Sequence, residues 1–181
     1  MGYITTYSGL KIDPLKPEME SIDIKDIAHA LSLTCRGNGH VKQFFSVGQH
    51  CVMCAKEAVA RGYSKRVVLG CLLHDASEAY MSDVPRPFKL MLKEYVEAED
   101  KLLDLIWTKF LGNTLSAEEK QLVSKVDDAV LYYDMMELLN VKQDGEPPKL
   151  AVPIDFSLRA FEDVEQEYLD LFQLWINRDL E

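Results

Sequence analysis

No stretch of this sequence approaches the roughly eighteen consecutive apolar residues that a membrane-spanning helix requires. The opening Met1-Gly2-Tyr3-Ile4-Thr5-Thr6 also lacks the basic cluster and apolar run of a secretory signal. The expectation is a soluble, cytoplasmic protein with no membrane partner. Positive charge is scarce, with 20 Lys and Arg against 30 Asp and Glu and a formal net charge of -10. That balance argues against nucleic acid as a partner, because affinity for a phosphate backbone comes largely from clustered basic residues. An anionic small molecule is not excluded, since it needs only local positive charge or a metal ion.

Cysteine and histidine are equally sparse, at four residues each. Cys51 and Cys54 form a C-x-x-C, a spacing used in redox and zinc sites, but no second such pair follows. Their neighbours Val47, Val52, Ala55, Ala58 and Val59 suit a helix interior, so these cysteines read as small buried hydrophobes. Internal repeats and low-complexity tracts are absent, and so is sustained β-type alternation.

Helical periodicity is abundant, and 48% hydrophobic content over 181 residues suits one all-α domain spanning 1–181. The exception is the first segment, where Tyr7-Ser8-Gly9 reads as the turn of a small hairpin. Ser21 and Asp23 offer caps for a helix over about 24–34, stopped by Gly37-Asn38-Gly39. A second helix is expected over about 46–61, and a third begins at the Ser64 cap. Pro85 and Pro87 mark a loop. A long amphipathic helix follows over about 90–111, and Ser116-Ala117-Glu118-Glu119 has the form of a capping box for another over about 117–140. A loop runs from Gln143 to Pro153, and the last helix, about 158–177, carries the apolar face Phe161, Val164, Tyr168, Leu171, Phe172 and Trp175.

The third helix carries the most informative feature. In Leu72-Leu73-His74-Asp75-Ala76-Ser77-Glu78 a histidine and an aspartate stand side by side in an apolar segment. Burying that pair is costly unless both groups are partnered or hold a metal. His50 lies 24 residues earlier, the separation of two antiparallel helices joined at Gly62, so it can face His74. Later, Val123 to Val130 sets Asp127 and Asp128 among apolar residues, and one of them can supply a fourth ligand. Two imidazoles and two carboxylates suit one divalent transition metal, Co, Mn, Fe, Ni or Zn. Such an ion with open positions supports phosphoester hydrolysis. Glu78, four residues after His74 and three after Asp75, falls on the same helical face.

His50, His74-Asp75 and Asp128 match the H…HD…D pattern of the HD-domain metal-dependent phosphohydrolases. The stretch His74-Asp75-Ala76-Ser77-Glu78 followed by Asp83-Val84-Pro85-Arg86-Pro87 resembles the bacterial 5'-deoxynucleotidases of that superfamily. Ile27 to Ser32, Arg36, Asn38-Gly39-His40 and Phe45 to His50 are similar to small phage and bacterial HD hydrolases. The resemblance runs from about Ile4 through the helix containing Asp128, and it implies an HD-type helical bundle. It also implies His50, His74, Asp75 and Asp128 as ligands of one metal, Glu78 as the group that orients or activates water, and Asp83 as a sugar or proton-transfer contact. Arg36 is then a phosphate contact, and the family's habits together with the aromatic last helix imply a homodimer. Between Asp127 and Asp128, Lys125 three residues before and Ala129 just after favour Asp128.

The implied activity is release of phosphate from deoxynucleoside 5'-monophosphates. A triphosphohydrolase acting on deoxynucleoside triphosphates and a nucleotide-binding regulatory module are the neighbouring readings. Two positions depart from the 5'-deoxynucleotidase pattern: Gly37 stands where those enzymes carry a tryptophan against the nucleoside, and Gln49 where they carry glutamate. Of the remaining histidines, His29 reads as a satisfied core or supporting residue, and His40, in a loop, as a candidate substrate contact.

Overall fold

The computed structural model describes residues 2–142 and 144–178. Met1, Gln143, where the loop after the seventh helix is expected to begin, and the last three residues lie outside the described residues. The chain opens on a hairpin in which β1 (Ile4–Thr5) pairs antiparallel with β2 (Lys11–Ile12), with Ile4 opposite Ile12 and Thr5 opposite Lys11. Gly9 in the connecting turn has φ +86°, a left-handed conformation that favours glycine. Everything that follows is helical or loop, and the fold is all-α. No helix among the described residues is long and apolar enough to cross a membrane.

The helices are α1 (Ile24–Leu33), α2 (Val47–Ala60), α3 (Lys65–Leu73), α4 (Glu78–Met81), α5 (Arg86–Lys89), α6 (Lys93–Leu111), α7 (Ala117–Glu137) and α8 (Phe161–Ile176). The caps explain where they begin. Asp23 accepts from Lys25 N at 2.8 Å, and Ser116 with Glu119 closes the expected capping box. Ser46 and Gln49 close another: Gln49 N donates to Ser46 Oγ at 3.1 Å, and Ser46 N donates to Gln49 Oε1 at 3.2 Å. Gln49 therefore has a structural task, fixing the turn that presents His50.

The third helix is the centre of the bundle. Val67 through Leu73 are all buried, and α3 packs against α2, α6, α7 and α8. A helix apolar on every side can only be an interior one. It does not continue through the His74-Asp75 motif, as the spacing suggests. Past Leu73 the backbone tightens, with Ala76 N donating to Leu73 O, Glu78 N to Asp75 O and Tyr80 N to Ser77 O, all three residues apart at 3.0 Å. Carbonyls at the end of α3 that lose their usual helical partners find others. The Tyr168 hydroxyl donates to Leu72 O, and His74 Nδ1 donates to Cys71 O, both at 2.7 Å. The Pro85–Pro87 loop contains one short helix, α5, which starts immediately after Pro85, a residue unable to donate and preset for that geometry.

Two features hold α2 in place. Glu57, buried, accepts from Ala151 N at 2.9 Å and Val152 N at 3.1 Å, strapping the segment before α8 onto the helix. Gly48 lets α1 and α2 touch backbone to backbone: a Cβ there would sit 3.1 Å from Ser32 N and 3.2 Å from the Leu31 carbonyl carbon. Gly48→Ala is therefore expected to lower stability by about 1–3 kcal/mol. Urea unfolding with an unchanged midpoint would contradict this close approach.

Candidate active site

Four elements converge beneath one cavity of about 600 Å³. The tightened turn after α3 supplies His74, Asp75 and Glu78, α2 supplies His50, α7 supplies Asp127 and Asp134, and the turn after α1 supplies Arg36. His50 is fully buried, with its ring centroid 5.2 Å from that of His74.

Each imidazole has one nitrogen committed and one directed at the cluster. His50 Nδ1 donates to Asp134 Oδ2 at 2.8 Å, as His74 Nδ1 does to the Cys71 carbonyl. His50 Nε2 stands 2.9 Å from Asp127 Oδ1, and His74 Nε2 stands 3.5 Å from the same oxygen and 3.3 Å from Asp75 Oδ2. His74 Nε2 is nevertheless buried without a hydrogen-bond partner, as is Glu78 Oε2. Donor atoms bound at about 2.1 Å to one ion lie about 3.0 Å apart in octahedral and 3.4 Å apart in tetrahedral geometry. These residues thus fit a divalent metal, with both Nδ1 atoms held by outer partners in the manner of metal-binding histidines.

The expected ligands are not all placed alike. His50 and His74 meet; Asp75 borders them, its Oδ2 also accepting from Arg36 Nη1 at 3.3 Å. Asp128 does not take part. Its side chain is 59% exposed and lies 3.8 Å from Arg86, whereas Asp127 occupies the position expected of it. The reason is helical phase: Asp127 shares a face with buried Val123, Val130 and Asp134, and the next residue is turned about 100° away. The pattern Val123, Asp127, Val130, Asp134 carried that signal in the sequence. Cys54 is a further addition, its Sγ 3.5 Å from His50 Nε2 within a group formed with His74 and Asp127.

Glu78 and Asp83 line the cavity as expected. Arg36 lines it too, although its guanidinium is already engaged by Asp75 and, at 3.3 Å, by Asp134. His40 is exposed and does not line it; the turn over Arg36–Gly39, with Gly37 and Asn38 at positive φ, carries it outward. His29 is satisfied elsewhere, pairing with Glu165 at 2.9 Å and stacking on Tyr7 with ring centroids 3.6 Å apart. Residues with no expected role also reach the cavity. Arg86 and Lys89 add positive charge, Tyr132 adds an aromatic wall, and Leu139 packs over Gly37, 3.4 Å from where its Cβ would be.

The cluster attracts positive charge. Burial works against protonating either imidazole, yet the surrounding groups, Asp134 and Asp127 for His50 and Asp75 and Asp127 for His74, hold both well above the ordinary value. Asp127, despite its own burial, is kept below the usual carboxylate range by the two histidines. Glu78 behaves oppositely: burial first, then Asp75 and Asp83, pushes its carboxyl up to about 9.

No protein-family model matches the chain. Its relatives include the uncharacterized protein YfdR of Escherichia coli (strain K12), 37% identical over 110 residues, or 61% of this chain and 59% of that protein. An uncharacterized protein of Rhodobacter capsulatus is 35% identical over 127 residues, or 66% of this chain and 64% of that protein. The matches therefore span less than two thirds of the length of these curated relatives.

Glu78 generates a pH prediction. The folded chain holds this proton up to about 9, against 4.5 for an ordinary glutamate, so across that window it binds more protons than the unfolded chain. Stability falls as pH rises through the window. In chelator-treated protein, Glu78→Gln is expected to raise the urea midpoint above wild type at pH 8, with the gap closing towards pH 5. A gap that does not change with pH would contradict the assignment.

Proposed function

We propose that this chain is a metal-dependent phosphohydrolase of the HD type. It acts in the cytoplasm on small nucleotides, with deoxynucleoside 5'-monophosphates as its first-choice substrates. The observation that carries this reading is the convergence of His50 Nε2, His74 Nε2 and Asp127 Oδ1 beneath a cavity that also holds Arg36, Lys89 and Glu78. A divalent transition metal bound there would supply Lewis-acid polarisation of a phosphoryl oxygen and acidify water.

The chain's own groups divide the remaining work. His50, His74 and Asp127 hold the ion, with Asp75 beside them and Asp134 fixing the His50 ring. Arg36 and Lys89 place positive charge where phosphate oxygens would lie, and Arg86 adds more at the rim. Glu78, protonated near neutral pH, can pass a proton to the leaving oxygen; positive charge arriving near Asp75 lowers its pKa and favours the opposite role, taking a proton from water. Asp83 stands near it to contact the sugar. The cavity volume suits a small ligand. Tyr132, Leu139 and Val41 offer the nucleoside an apolar wall in place of an aromatic at position 37.

Protein loaded with Co, Mn or Fe is expected to release inorganic phosphate from deoxynucleoside monophosphates. Glu78→Gln should reduce kcat by about 10²–10⁴-fold. Asp127→Ala should lose the metal in elemental analysis, whereas Asp128→Ala should retain both metal and activity. Release of triphosphate from deoxynucleoside triphosphates, with monophosphates untouched, would move the assignment to a triphosphohydrolase. Tight nucleotide binding without turnover across these metals would overturn it in favour of a binding module.

A further inference from the structure

Cys54 has no part in the proposed reaction. It lies one helical turn after His50 on α2, the i to i+4 relation that puts two side chains on one face. Its side chain is fully buried. Its Sγ is 3.5 Å from His50 Nε2, and these two atoms with His74 Nε2 and an Asp127 oxygen all lie within 4.8 Å of one another. Bonds of about 2.3 Å to sulfur and 2.1 Å to nitrogen on a tetrahedral ion separate the two donors by about 3.5 Å. Independently, His74 Nε2 points into the same group, buried and without a hydrogen-bond partner on a side chain only 9% exposed.

Cys51, the other half of the C-x-x-C, is placed differently. Its Sγ is 4.0 Å from His74 Nδ1, the nitrogen already committed to the Cys71 carbonyl. It therefore lies behind the imidazole, on the side away from Nε2.

We propose that Cys54 is a thiolate ligand of the same ion that His50, His74 and Asp127 would hold. The inference rests on reading this cluster as a metal centre. On binding, the thiol proton leaves to solvent and the sulfur lone pair enters the coordination shell, with no change of oxidation state. A donor set of two imidazoles, one carboxylate and one thiolate favours zinc, ferrous or cobaltous ions over manganese and magnesium, because sulfur is the softer ligand.

Cobalt(II) titration of the chelator-treated full chain tests this by absorption. Wild type is expected to bind one cobalt and develop a near-ultraviolet sulfur-to-cobalt charge-transfer band. The band should vanish in Cys54→Ser and persist in Cys51→Ser. Zinc affinity, read by competition with a chromophoric chelator, should fall about tenfold or more in Cys54→Ser while manganese affinity changes little. Zinc-edge X-ray absorption of the wild-type protein, which needs no variant to fold, should find one sulfur neighbour at about 2.3 Å. One bound cobalt without the band, a band lost in Cys51→Ser instead, or a zinc shell without sulfur would overturn the role of Cys54 and leave the metal centre standing. Failure of wild type to bind cobalt or zinc at all would overturn both.

Discussion

The carboxylate of Asp134 is almost inaccessible to water, and two other groups depend on it. Its Oδ2 accepts from His50 Nδ1 and from Arg36 Nη2, so one buried oxygen ties α2, α7 and the turn after α1 together. A charge buried this way survives only with good partners. With Nδ1 held, Nε2 of His50 is turned towards Asp127 and His74. Arg36 spans the gap from Asp134 to Asp75 and links this network to the motif turn.

The second constraint is the fully buried helix α3. Because every face from Val67 to Leu73 is covered, the polar residues that follow can meet the cavity only if the chain changes direction at its end. The switch to bonds three residues apart achieves this. It also requires outside donors for the carbonyls left over, and Tyr168 on α8 and the His74 ring supply them. The aromatic face of the last helix thus serves the site as well as the core: Tyr168 anchors the terminus from which His74 and Asp75 project.

The same arrangement sets the chemistry available. Buried carboxylates around two imidazoles call for positive charge, while Glu78 a few residues on is driven by burial and by Asp75 and Asp83 to keep its proton. Two carboxylates of one cavity are therefore pushed in opposite directions, Asp127 down and Glu78 up. Such separation is how a fold divides charge stabilisation from proton transfer.

Helical periodicity and cap residues were enough to reveal the all-α fold, the N-terminal hairpin and most helix positions. These depend on local patterning, which survives in one dimension. The pairing of His50 with His74 was legible too, because a short turn between two helices fixes their antiparallel neighbourhood. The choice between Asp127 and Asp128 was recoverable in principle from helix phase, but residue chemistry on either side pointed to the wrong neighbour. Other features were decided only in three dimensions. The break after α3, the bond from Asp134 to His50 and the approach of Cys54 to the imidazole all arise from elements distant in sequence competing for the same buried partners. The outward placement of His40 belongs with them, because left-handed residues at Gly37 and Asn38 set a direction that composition does not encode. Sequence alone determined which chemical groups were available in the core; tertiary packing decided which of their atoms face one another, because burial leaves each polar atom only the partners within reach.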